Sequence, residues 1–195
     1  MRTSISLFVG LLWLCQGCAG SSAQKASAAS SPAVDENAER FTGQGLSVKR
    51  PAGWIFAAPD ASVAHDAVAV LIGPAAEFRI GPMVAIARRP VATADRRLGA
   101  ADLLKSVTLE LMQAFEGYDT VVAPAEATLA GQKGVVVKAT YKESLADGAE
   151  VERRAQVYAV AVGDQIWFVR CTVPVGDAFD DDVSQILASI AIEST

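Results

Sequence analysis

Two neighbouring segments near the C-terminal end constrain the fold of this chain most. Residues 150–162 and 165–173 are rich in apolar side chains and are joined by Gly163-Asp164. A glycine-containing pair between two such segments predicts a β-hairpin with a two-residue turn. Apolar residues occupy both odd and even positions of both segments, so both faces of each strand are expected to be apolar. Strands of this kind lie at the centre of a sheet, and the hairpin is therefore expected there.

Several other segments predict further strands. Residues 46–50 alternate apolar and polar side chains, which is typical of an edge strand. The segment after Gly134 places four side chains on one face of a strand: Val135, Val137, Ala139 and Tyr141. The remaining predicted strands are residues 54–56, 67–72, 78–87 and 121–129. Gly81-Pro82 and Pro124 fall inside the last two, which indicates a bulge or an irregular edge.

Two segments have the periodicity of amphipathic helices. The first, residues 100–115, repeats apolar side chains at Leu104, Val107, Leu111 and Phe115. The second, residues 177–190, has one apolar face, formed by Phe179, Val183, Ile186, Leu187 and Ile190. The chain is therefore expected to be an α+β protein with a mainly antiparallel sheet and two helices.

The N-terminal segment has the features of an export signal. Arg2 precedes a short apolar stretch, residues 5–14, which is too short to span a bilayer core that requires about 20 apolar residues. Residues 19–40 contain no aromatic side chain and cannot bury enough apolar surface to offset their ordering entropy. We therefore expect a signal peptide at residues 1–17, a disordered Ala/Ser-rich tether at residues 18–40 and one globular domain at residues 41–195.

The end of the signal resembles the bacterial lipobox. In the sequence Leu14-Cys15-Gln16-Gly17-Cys18, a small residue precedes a cysteine as in the lipobox, although Cys15 stands where that motif usually has leucine. The resemblance implies lipid attachment at Cys18. In enterobacterial lipoproteins an aspartate after the lipidated cysteine signals retention at the inner membrane, and this chain has Ala19 there. The resemblance therefore also implies that the protein is anchored in the outer membrane and faces the periplasm. Cleavage after Ala23 is the alternative, and it would release a soluble periplasmic or secreted protein.

Charge and cysteine content exclude several classes of function. The chain has 17 Lys+Arg against 22 Asp+Glu and no long basic run, which argues against nucleic-acid binding and against direct binding to anionic lipid headgroups. Its three cysteines are Cys15, Cys18 and Cys171. With the first two in the signal region, Cys171 has no disulfide partner in a lipidated monomer and is expected to be a buried, inert thiol.

No residue pattern indicates catalysis, a metal or a cofactor. His65 is the single histidine, so one chain cannot assemble a His/Cys zinc site, and a surface histidine is favoured over a catalytic base. The acidic group at the start of the second helix lacks the spacing of a calcium loop and suits the helix dipole instead; it comprises Asp177, Asp180, Asp181 and Asp182. Four aromatic residues are expected in the core rather than around a pocket: Trp54, Phe56, Trp167 and Phe168. Arg170 is expected to be half-buried and to pair with Glu150 or Glu152.

Several motifs together resemble the PsbP-like superfamily, which includes DcrB-like and LpqN-like bacterial lipoproteins. The motifs are Phe41 before the strand at 46–50, Pro51-Ala-Gly-Trp54, Gly131-Gln-Lys-Gly134, Ile166-Trp-Phe in the hairpin, and Ser189-Ile190 at the end of the last helix. The resemblance implies an antiparallel sheet covered by helices on both faces, an α/β/α sandwich. It also implies a non-enzymatic docking module.

Three functions are compatible with the sequence. The favoured one is a lipid-anchored binding or assembly module for an envelope protein of unknown identity. The second is a periplasmic carrier of a small apolar ligand, which requires a cavity of several hundred Å³. The third is an envelope hydrolase that uses His65.

Mass spectrometry of the mature N-terminus from the native host tests the anchor. We expect the first residue to be Cys18, carrying a thioether-linked diacylglycerol and an amide-linked acyl chain, because Gly17 and Cys18 match the lipobox. An unmodified N-terminus at Gln24 would contradict this and would show that cleavage follows Ala23.

Overall fold

The domain is built from ten strands and two helices in the residues that the computed structural model describes, namely 39–58, 67–75, 81–114, 118–145, 147–176 and 179–193. In chain order the strands are β1 (Arg40–Gly43), β2 (Leu46–Lys49), β3 (Ile55–Ala57), β4 (Ala67–Ile72), β5 (Met83–Pro90), β6 (Thr120–Leu129), β7 (Gln132–Ser144), β8 (Glu150–Val162), β9 (Gln165–Pro174) and β10 (Ala191–Ile192). Helix α1 spans Ala100–Ala114, between β5 and β6, and helix α2 spans Asp180–Ser189, between β9 and β10.

Seven strands form one antiparallel sheet in the order β3-β4-β5-β9-β8-β7-β6. The predicted hairpin is confirmed: β8 and β9 pair from Val162 opposite Gln165, and Gly163 at the turn has a left-handed φ of 59°. β9 is the middle strand of the seven, so the central position of the hairpin is also confirmed. The chain crosses from β5 to the far edge at β6 through α1.

The centre of this sheet is apolar on both faces. Ile166 belongs to a core cluster with Leu104 and Val107 of α1, whereas its neighbour Trp167 belongs to a cluster with Val183 and Ile186 of α2. Successive side chains of a strand point to opposite faces, so these clusters contain opposite sides of β9.

The first half of β8 departs from this pattern. Three side chains on the face opposite the α1 cluster are polar and at least partly exposed to solvent: Glu152, Arg154 and Gln156. Their partners on β7 are also polar there, with Thr140 opposite Arg154 and Lys138 opposite Gln156. The expectation that β8 is apolar on both faces therefore holds only for its second half.

A second, three-stranded sheet has the order β1-β2-β10. The sequence predicts an edge strand at residues 46–50, but β2 lies in the middle of this sheet, between β1 and β10. The alternation is instead explained by burial, since Leu46 and Val48 face the core while Ser47 and Lys49 point away from it.

Two predicted element boundaries are wrong. The strand expected at residues 78–87 begins at Met83, after Gly81-Pro82. The Gly73 N–H donates to the Pro82 carbonyl, and a Cβ on Gly81 would lie 2.4 Å from the Gly73 oxygen, so two backbone segments cross closely before the strand begins. The last helix, expected from residue 177, begins at Asp180.

Trp54 connects the turn after β2 to α2. The turn is made by Pro51, whose carbonyl accepts the Trp54 N–H, and by Gly53 with φ 80°. The Trp54 side chain is 0% exposed, and its indole Nε1–H donates to Asp182 Oδ2 at 2.8 Å. This turn and the first turn of α2 are therefore held together.

Substitution of Gly134 tests the packing between β7 and β8. An alanine Cβ at this position would lie 2.2 Å from the Ala159 carbonyl oxygen and 2.5 Å from Val160 Cγ1. Because the sheet must separate to admit it, we expect Gly134→Ala to lower the free energy of unfolding by about 1–3 kcal/mol in urea titrations. Gly43→Ala is the matched control in a strand, since its Cβ meets only Phe41 at 3.4 Å. Equal effects of the two substitutions would contradict the prediction.

Candidate functional site

The candidate residues from the sequence fall into different parts of the molecule. Cys18, His65 and Asp177 lie outside the described residues. Asp180 forms an ion pair with Arg154, and Asp182 accepts the hydrogen bond from Trp54. These two carboxylates therefore have structural partners, and the described part of the chain contains no group of three His, Cys, Asp or Glu side chains that could hold a metal ion.

The aromatic residues that were considered for a pocket are core residues. Trp54, Phe56 and Trp167 are 0–2% exposed and share one core cluster. Phe168, the next residue on β9, packs at the edge of the clusters with α1. The prediction that these four residues are core rather than pocket lining is thus confirmed for the first three, and Phe168 is half-buried.

Three surface depressions of about 370–380 Å³ lie elsewhere in the described region. The first is lined by Lys49, Arg50, Pro51, Gln185, Ala188 and Ser189. The second is lined by the β6–β7 turn, Tyr158 and the end of α2, and the third lies beside the start of α1. None of the three contains any of the four aromatic residues considered above.

Arg170 has a different partner from the one expected. Its Nη2 donates to the Tyr118 hydroxyl at 2.9 Å, while Glu150 lies 3.7 Å from Lys142. The guanidinium is half-buried as predicted, but the pairing with Glu150 or Glu152 is wrong. The reason is strand geometry: Arg170 lies opposite Val157, so it shares a face with the odd-numbered residues of β8 and not with 150 or 152.

Arg153 is a buried charge that the sequence interpretation did not single out. Its side chain is 3% exposed and lies 3.2 Å from a Glu143 oxygen. Its Nη2 also donates to the backbone oxygens of Gly81 at 3.0 Å and Thr172 at 3.2 Å. The sequence does contain a signal for this burial. Arg153 is two residues before Ala155 and four before Val157 in β8, so the three side chains share the inward face of the strand.

Two tyrosines complete the surroundings of these arginines. The rings of Tyr118 and Tyr141 meet edge to face with their centroids 4.7 Å apart, and Tyr141 is the β7 partner of Arg153. Burial raises the pKa of the Tyr141 hydroxyl, and the nearby Arg153 and Arg170 charges offset part of that rise. The hydroxyl therefore stays protonated near neutral pH and is a hydrogen-bond donor.

We call this set the arginine–tyrosine cluster: Tyr118, Tyr141, Glu143, Arg153, Arg170 and Thr172. It contains two guanidinium groups and a single carboxylate. Three of its buried polar atoms have no hydrogen-bond partner among the described residues: Arg153 Nε, Arg170 Nε and Thr172 Oγ1. A buried donor without an acceptor costs about 1–3 kcal/mol, so this cluster is the main candidate site of the described region.

Two arginines of β5 make contacts outside the arginine–tyrosine cluster. Arg89 pairs with Glu110 of α1 at 2.6 Å and stacks over Phe168 at 5.1 Å. Arg88 stacks over Trp167 at 5.7 Å and donates to the Gln44 carbonyl. These contacts join β5 to α1 and to the β1–β2 turn, and their role is structural.

Cys171 is a buried thiol, as predicted. Its side chain is 2% exposed in the core cluster with α2, and burial raises its pKa from 9.0 to about 12 because the thiolate would lose its hydration. The folded pKa exceeds the unfolded one, so the contribution of the thiol to stability is fully present below pH 9 and is lost as the pH rises toward 12.

Alkylation with iodoacetamide at pH 8 tests the environment of Cys171. The folded protein is expected to be modified at this residue on the order of a thousandfold more slowly than the urea-unfolded protein, because the thiolate is the reactive form. Peptide mass spectrometry distinguishes Cys171 from the two N-terminal cysteines, and Cys171→Ala is the control without the thiol. Similar rates in both states would contradict the buried position.

Within the described residues, no helix combines the length and the apolar character needed to cross a bilayer.

Comparison with known proteins identifies the fold. No protein-family model matches the chain, and no curated protein matches it. Among solved structures, LpqN of Mycobacterium tuberculosis, which is involved in cell envelope biogenesis, has 14% identity and a TM-score of 0.52, over 75% of this chain and 82% of LpqN.

Two further structures have TM-scores of 0.49. One is the cyanobacterial PsbP of Synechocystis, with 16% identity over 79% of this chain and 91% of that protein. The other is a protein of Bacteroides thetaiotaomicron, with 12% identity over 80% of this chain; the chain spans about half of that protein, 48% of its length. The likeness to LpqN agrees with the fold that the sequence motifs implied, and the chain has a PsbP-like fold.

Proposed function

We propose that this protein is an exported lipoprotein whose domain is a non-enzymatic binding module for an envelope protein. In this proposal residues 1–17 are removed on export, Cys18 carries the lipid, and residues 18–40 tether the domain at residues 41–195 to the outer membrane, facing the periplasm. The observation that carries the proposal is the combination of an export signal with a PsbP-like fold.

The fold supports the binding role by analogy. LpqN, which shares the fold, is involved in cell envelope biogenesis. A shared fold at 14% identity does not determine function by itself. The signal, however, is independent of the domain, and both features favour the envelope as the site of action.

We also propose that α1 and α2 cover opposite faces of the large sheet, as the family resemblance implies. The two core clusters support this arrangement, since Ile166 packs with α1 residues and Trp167 packs with α2 residues. The polar side chains of Lys138, Arg154 and Gln156 indicate that the cover on the α2 side is incomplete over β7 and β8.

The two alternative functions have less support. The carrier of an apolar ligand was expected to use a pocket between sheet and helix, but Trp54, Phe56 and Trp167 fill the core there. The hydrolase depends on His65, which lies outside the described residues, so it stays a prediction from the sequence.

Cross-linking in the native host, followed by affinity capture from envelope extracts, tests the proposal. At native expression we expect one dominant protein partner, captured reproducibly and depleted by excess untagged protein. We also expect the protein in the membrane fraction and the Cys18→Ala variant in the soluble periplasmic fraction, because that variant cannot be acylated. Reproducible capture of no partner would refute the binding module, and an unchanged fractionation of Cys18→Ala would refute the anchor.

A further inference from the structure

We propose that the arginine–tyrosine cluster binds a carboxylate group, supplied in the first instance by an acidic side chain of the envelope partner. This inference rests on the proposed binding function for the source of the carboxylate. The site itself rests on the charge, the hydrogen-bond donors and the geometry of the cluster.

Charge is the first argument. Arg153 is matched by Glu143 at 3.2 Å, and the Glu143 side chain remains 41% exposed. Arg170 donates to the Tyr118 hydroxyl, a neutral group, and none of its contacts in the described structure is to a carboxylate. The cluster therefore has one positive charge more than it has negative charges. A half-buried guanidinium is stabilised by a carboxylate, with which it can form two parallel hydrogen bonds.

The surplus of donors is the second argument. Nε of Arg153, Nε of Arg170 and Oγ1 of Thr172 are buried, and no group in the described part of the chain forms a hydrogen bond with them. The Tyr141 hydroxyl adds a protonated donor beside both guanidinium groups. The cluster thus has more donors than acceptors among the described residues, and the ligand that this favours is rich in acceptor atoms and carries negative charge.

Geometry is the third argument. Ala139, Ala155 and Thr172 are register partners on neighbouring strands, and they lie on the same face of the sheet as Arg170. The Arg170 guanidinium donates to the Tyr118 hydroxyl at 2.9 Å, so these two side chains meet on this face. Tyr118, Tyr141 and Arg170 are each half-buried, so part of each side chain faces solvent and can contact a group that arrives from outside.

The single surplus charge favours a carboxylate over a phosphate. A carboxylate carries one negative charge and would neutralise the cluster. A phosphate monoester carries about 1.5 to 2 negative charges at pH 7 and would leave the site anionic beside Glu143. The selectivity is therefore expected to follow charge, with carboxylates bound more tightly.

The three tyrosines of the chain provide the measurement. Tyr118 and Tyr141 lie in the cluster, whereas Tyr158 packs against the core cluster that contains α2 residues. Fluorine NMR of the exported protein labelled with 3-fluorotyrosine therefore gives two reporters and one internal control. Signals are assigned with the three Tyr→Phe variants.

Titration with acetate and with the blocked peptide acetyl-Ala-Glu-Ala-amide, which each carry one carboxylate, is expected to shift the Tyr118 and Tyr141 signals saturably and to leave the Tyr158 signal in place. The peptide acetyl-Ala-Gln-Ala-amide, and sodium chloride at equal ionic strength, are expected to have no such effect. Unsaturable shifts of all three signals, or tighter binding of inorganic phosphate than of both carboxylates, would overturn the proposal.

Two variants test whether the Arg170 guanidinium and the Tyr141 hydroxyl cause the fluorine shifts. Arg170→Met is expected to abolish the shift, and Tyr141→Phe, which removes one hydroxyl, to raise the dissociation constant about tenfold on the Tyr118 signal. Arg97→Met, at an exposed site before α1, removes the same charge and is expected to bind as the wild type does.

Wild-type binding by Arg170→Met would refute the site. An unmoved Tyr158 signal in each variant verifies its fold, and Tyr141→Phe keeps the test valid if Arg170→Met does not fold.

Comparing the affinity of the glutamate peptide with that of the small carboxylate identifies the source of the carboxylate. Tighter binding of the glutamate peptide supports a protein partner, and tighter binding of acetate supports a free carboxylic acid; either result supports the site. If the capture experiment finds no partner but the NMR titration still shows carboxylate binding, only the protein partner is refuted. If a partner is captured but the NMR titration shows no carboxylate binding, only this site is refuted.

Discussion

The hydrogen bond between the Trp54 indole and Asp182 joins positions that are 128 residues apart in the chain, and much of the small sheet depends on it. A fully buried indole N–H requires an acceptor, and Asp182 supplies it from the first turn of α2, where the helix dipole stabilises a carboxylate. β10 follows α2 directly and pairs with β2, so the bond that positions the helix also positions this strand. The indole excludes a side chain at residue 73, because a Cβ there would lie 2.7 Å from Trp54 Cε2. The Pro-x-Gly-Trp motif is thus a packing requirement with a specific partner.

The elements that could be predicted from the sequence are those whose signal is local. Gly163-Asp164 between apolar segments defines the central hairpin, and the spacing of Leu104, Val107 and Leu111 defines α1. β10 has only two residues, Ala191 and Ile192, and is a strand because it pairs with β2, a contact across the whole chain. The middle position of β2 could not be predicted for the same reason. The strand predicted at residues 78–87 includes Gly81-Pro82 because the sequence carries no signal for the close crossing with Gly73.

The candidate site shows the same limit at the level of side chains. The half-buried state of Arg170 follows from its position between Phe168 and Thr172 on one strand face. Its partner could not be chosen from sequence distance: Tyr118 is 52 residues away and lies beyond the end of α1. Strand register, once known, excludes Glu150 and Glu152 because even positions of β8 face the other side. The same register explains why Arg153 and Arg154, adjacent in sequence, serve different parts of the molecule. Arg153 is buried beside Tyr141, and Arg154 reaches Asp180 of α2.

The pairing of β1 and β2 has a mechanical consequence. The chain enters the domain at Arg40, and Arg40 pairs with Lys49 at the open end of the β1–β2 hairpin, opposite the turn between Gly43 and Leu46. A force applied to the chain before Arg40 therefore loads these strands in the unzipping direction, in which pairs break one after another and not all together. The four pairs of this hairpin are therefore the first strand pairs that such a force loads, and they lie outside the seven-stranded sheet. β1 is thus the first element of the described domain that mechanical strain from the N-terminal side reaches.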